Sequence, residues 1–70
     1  MNREEQIFLI TQKLEKIIDD LDNIFSEIDK IEMTTYIRED IYSLEYTINS
    51  GIIDLIDIIN RKLGDEKNEA

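Results

Sequence analysis

Cysteine, histidine and proline are absent from these 70 residues, and glycine occurs only at positions 51 and 64. Without cysteine there is no disulfide, and without cysteine or histidine there is no ordinary zinc site. A cysteine-free chain also suits a reducing compartment, so the expected location is cytoplasmic. Without proline, and with two glycines, the chain has few marked places to turn. Valine is missing and the one alanine is Ala70, while isoleucine dominates the apolar set. Together with many Asp, Glu, Lys, Asn and Tyr, this bias reads as an AT-rich coding sequence, such as that of a low-GC bacterium, its phages or its mobile elements.

Positive charge is also scarce. Eight Lys and Arg face seventeen Asp and Glu, a formal net charge of −9. Such a chain repels nucleic acid and anionic membranes, so neither is an expected partner. It suits a protein partner with a basic surface, or plain solubility. No basic start followed by an apolar run reads as a signal peptide. The apolar stretch from Ile52 to Ile59 is interrupted by Asp54 and Asp57 and is too short to span a bilayer.

What the chain does have is helical periodicity. Ile7, Ile10, Leu14, Ile17, Leu21, Ile24, Ile28 and Ile31 follow steps of three and four without a slip. That is a heptad seam, with Ile7, Leu14, Leu21 and Ile28 at a and Ile10, Ile17, Ile24 and Ile31 at d. Ile18 and Phe25 sit at e and widen the stripe to that of a bundle helix. Asn2 is an N-cap and Glu5 closes a capping box, so the spacing predicts a first helix over about 3–32. Thr34 and Thr35 suit a tight turn. A second helix over about 36–63 follows, with Ile37, Ile41, Leu44, Ile48, Ile52, Leu55, Ile59 and Leu63 on one face. Its phase survives Gly51; a break there into a third helix is the alternative. Gly64 is placed as its C′ residue and 65–70 as a frayed acidic tail.

Two helices and a short turn make an all-α antiparallel hairpin, one domain over 1–64. Phe8, Leu9, Tyr42, Tyr46, Ile53, Ile56 and Ile58 fall off the seam. A lone hairpin would leave them wet, so they are the expected partner or dimer interface. Two such hairpins would close into a four-helix bundle. Glu15, Asp22 and Asp29 recur every seven residues with Asp19 beside them, an acidic flank suited to a basic groove.

Chemistry is thinly represented. Ser26, Ser43 and Ser50 have no histidine to activate them, and no catalytic, cofactor or metal residue is assigned. Asp19/Asp22 and Asp54/Asp57 are carboxylate pairs of the kind that hold Mg²⁺ in a nucleotide hydrolase, the least favoured reading. The preferred one is a small acidic interaction module, acting as a regulator, inhibitor or adaptor and not as an enzyme. A self-assembling structural bundle is its rival.

Overall fold

The computed structural model describes residues 2–64, and the tail expected over 65–70 lies outside them. The chain is an all-helical hairpin: α1 spans Arg3–Asp29 and α2 spans Thr35–Ile58, continued by a π-helical turn over Ile59–Leu63. Among the described residues there is no strand.

Each start is capped as its sequence implies. The Asn2 side chain accepts from the Glu5 amide at 2.8 Å, and Glu4 and Glu5 stand in the first turn, where the helix dipole favours acids. Thr34 Oγ1 accepts from the Ile37 amide at 3.4 Å and opens α2. Helix α1 stops at Asp29 rather than near 32. The reason is Arg38, one turn into α2. Its guanidinium donates to the carbonyls of Asp29 at 3.2 Å and Ile31 at 3.3 Å. Those carbonyls are satisfied from the facing helix, so the chain can leave the helical path there.

Gly51 lies inside α2, which runs unbroken past it, so the three-helix alternative does not hold. Nothing lies within 4 Å of where a Cβ would sit on Gly51. Gly64 keeps a right-handed φ of −63° and so does not act as the left-handed C′ residue expected of it. Near the end the helical ladder widens, and Asn60 Nδ2 donates both to the Ile56 carbonyl at 2.9 Å and across the hairpin to Thr11 Oγ1 at 3.0 Å.

The seam departs from the heptad expectation. On α1 the half-buried positions are Ile7, Thr11, Leu14, Ile18, Leu21, Phe25 and Ile28, the a and e rows. On α2 they include Arg38, Ile41, Glu45, Asn49, Ile52 and Ile56, leading to Ile59. The d row is exposed instead. One helix covers only part of an a/d/e stripe, and here polar bonds choose the part. Thr11–Asn60, Asp29–Arg38 and Asp29–Tyr42 all lie on the e side and draw α2 towards it.

The result is a flat rod with Cα extents of 53 × 18 × 10 Å and a radius of gyration of 16.3 Å. A compact globule of this length would measure about 11 Å. Among the described residues, Ile59 alone is buried.

Candidate interaction surfaces

A hairpin two helices wide has two broad sides, and helical spacing sorts the side chains between them. On one side the exposed d row of α1, Ile10, Ile17 and Ile24, with Ile31 in the turn just beyond it, lies alongside Ile37, Leu44, Ile48, Leu55 and Ile58 of α2. All nine are between 40% and 59% exposed. At the open end, Ile7, Leu9, Ile10, Ile59 and Leu63 line a groove of about 500 Å³ that places Ile10 beside Leu63, with Arg3, Gln6 and Lys13 also along it. This is the aliphatic side.

The opposite side is acidic and carries the tyrosines. Glu15, Asp22 and Asp29 occupy the b positions next to the e row, with Phe8 on the same line and Asp19 just behind. Across from them Tyr42, Glu45, Tyr46, Asn49, Ser50 and Ile53 line a shallower groove of about 350 Å³. The Asn49 Oδ1 atom there is buried and has no hydrogen-bond partner.

Asp29 is engaged within the chain. It forms an ion pair with Arg38 and accepts from the Tyr42 hydroxyl at 2.7 Å. These neighbours hold the Arg38 guanidinium above its ordinary value. The Tyr42 hydrogen bond raises it most, desolvation works against that, and the Asp29 charge adds to the rise.

The residues singled out as an interface are therefore distributed over both sides. Phe8, Tyr42, Tyr46 and Ile53 share the acidic side. Ile58 belongs to the aliphatic side, and Leu9 lines the open-end groove. Ile56 is half-buried in the seam between the helices. The strongest exposed apolar row, Leu44, Ile48 and Leu55 with the d residues, is the one that the heptad spacing alone puts in the seam. Ile18 and Phe25 at e were the signal that the seam could shift.

Of the carboxylate pairs, Asp57 is bound to Arg61 at 2.7 Å. Among the described residues no group of three or more acidic side chains gathers as a metal cage. No helix among them is long and apolar enough to cross a membrane. Comparison with protein-family models, with curated proteins and with solved structures gave no match. The fold class, an all-α helical hairpin, is thus defined by the chain's own geometry.

Proposed function

We propose that this chain is a small acidic protein-interaction module, a regulator, inhibitor or adaptor, that works in the cytoplasm as a four-helix bundle of two hairpins. One observation carries the reading. The hairpin buries Ile59 alone among its described residues and leaves nine large aliphatic side chains about half exposed on one side. A rod with so little interior does not offset the entropy of ordering its residues, roughly 1.5 kcal/mol each. The missing apolar burial has to come from another chain. Covering the aliphatic side leaves Glu15, Asp19 and Asp22 with Tyr46 and Ile53 outward, a surface of the right charge for a basic protein groove. The composition fits an origin in a phage or mobile element.

The rival, a structural bundle with no further partner, draws support from Asp29 and Tyr42, which already serve the hairpin. Charge reversal separates the two. Glu15→Lys with Asp22→Lys is expected to keep the helical signal and the dimer mass while losing a captured basic partner. Capture unchanged in that variant would remove the acidic docking surface and leave the structural reading.

A further inference from the structure

Two hydrogen bonds fix the register of the hairpin. Thr11 faces Asn60, and Asp29 faces Tyr42. Midway between them, Asp20 on α1 lies level with Gly51 on α2. Two independent patterns on the aliphatic side are centred at this level.

The first is steric. Leu44, Ile48, Gly51, Leu55 and Ile58 form one exposed row at steps of four, three, four and three, and the glycine is its middle member. Gly51 has a helical φ and no neighbour within 4 Å of its missing Cβ, so nothing within the chain calls for glycine there. In a helix interior glycine is a costly choice. It is accounted for where a second backbone approaches closely.

The second is electrostatic. The outer edge of the exposed d row is bordered by the g positions Lys13, Asp20 and Glu27. Reflected through the level of Asp20, Lys13 falls opposite Glu27. Reflected through the level of Gly51, Asp40 falls opposite Lys62. Asp20 sits at the centre itself and so meets its own copy across the axis, each of the two carboxylates being paired with its own Lys16 at 3.3 Å.

Resting on the dimer proposed above, we infer that two copies pack aliphatic side to aliphatic side and head to tail, about a two-fold axis at the level of Gly51. Helix α1 then runs antiparallel to α1 of the second copy, and α2 to its counterpart. Ile17 packs on Ile24 of the second copy, Ile10 on Ile31, and the two Gly51 residues let the α2 helices cross closely. The area agrees: nine aliphatic side chains about half exposed amount to on the order of 800 Å², the share each partner gives to a standard interface. Turning the second copy open end to open end would instead set Glu27 within a turn of the other Asp40, like beside like, and would set Gly51 against Asp20.

The chain has no cysteine, so single-cysteine variants take a spin label at one known place. Gln12→Cys and Asp19→Cys both lie on the solvent-facing f row. In a head-to-tail dimer the two labels at 12 are separated along the bundle by about 24 Å, and those at 19 by about 3 Å. The expected pulsed-dipolar result is a distance at 12 longer than that at 19 by on the order of 10 Å. Equal distances at both sites, with a dimer mass, would overturn the head-to-tail packing and leave the dimer standing. A monomer mass with no dipolar signal would overturn the dimer itself. As a second reading, Lys13→Glu is expected to weaken the dimer by roughly tenfold, and adding Glu27→Lys to restore it. Failure of the swap to restore would likewise overturn the packing.

Discussion

The Tyr42 hydroxyl donates to Asp29 Oδ1 at 2.7 Å, across a turn of five non-helical residues. With Arg38 on the same carboxylate and on the carbonyls of Asp29 and Ile31, the end of α1 is tied to the first two turns of α2. The lock is partly solvated, with the Arg38 side chain 32% and the Asp29 side chain 49% exposed, so its contribution is that of a screened pair.

Removing the lock at its centre tests this. Arg38→Ala is expected to lower the unfolding free energy by about 1 kcal/mol, because it also frees the Asp29 and Ile31 carbonyls. Tyr42→Phe is expected to cost less. Thermal denaturation followed by circular dichroism ranks the two; an equal loss would show that the guanidinium is not the main tie.

The Asn2 cap is separate from any partner. Asn2→Ala is expected to cost about 1 kcal/mol of helix stability and to leave the assembly state unchanged. Chemical denaturation at fixed protein concentration, with light scattering on the same sample, checks both halves.

The two sides of the hairpin should respond differently to a buried charge. Ile24→Glu, on the aliphatic side, is expected to dissociate the dimer and cost much of the helicity. Ile53→Glu, on the acidic side, is expected to leave the mass unchanged. Sedimentation equilibrium distinguishes them, and dissociation by the second variant alone would place the interface on the wrong side.

Gly51→Ala should act in opposite senses at two levels. Within one hairpin it is expected to favour the helix by up to about 1 kcal/mol, since open space surrounds the site. At the dimer it is expected to weaken association, since a methyl then stands where two helices cross. Raised helicity in dilute samples together with a higher dissociation constant is the expected signature. Tighter association would place Gly51 outside the interface.

Much of the architecture was legible from residues 2–64. Asn2 with Glu5, and Thr34 before Ile37, announced both helix starts, because caps are local chemistry. The seam was only half legible. A stripe spanning a, d and e states how much surface needs covering, not which part the chain's own second helix takes. That choice fell to Thr11, Asp29, Arg38, Tyr42 and Asn60, whose bonds link residues 9 to 49 positions apart and have no periodic trace. Once the seam moved towards e, residues grouped as off-seam separated. Ile56 went inside, Ile58 joined the aliphatic side, and Phe8, Tyr46 and Ile53 stayed with the acids. In the sequence Arg38 is simply one of eight cations, because its role depends on a turn bringing it back onto α1.

The shortest dimension of the hairpin is 10 Å between Cα atoms, one helix thick. A body that thin has boundary but no bulk. Every side chain along it lies within its own length of solvent or of a neighbouring molecule. Whatever dielectric, dryness or rigidity these residues experience is therefore set by the company the hairpin keeps. A substitution on either broad side acts first on what lies against it and only then on the fold.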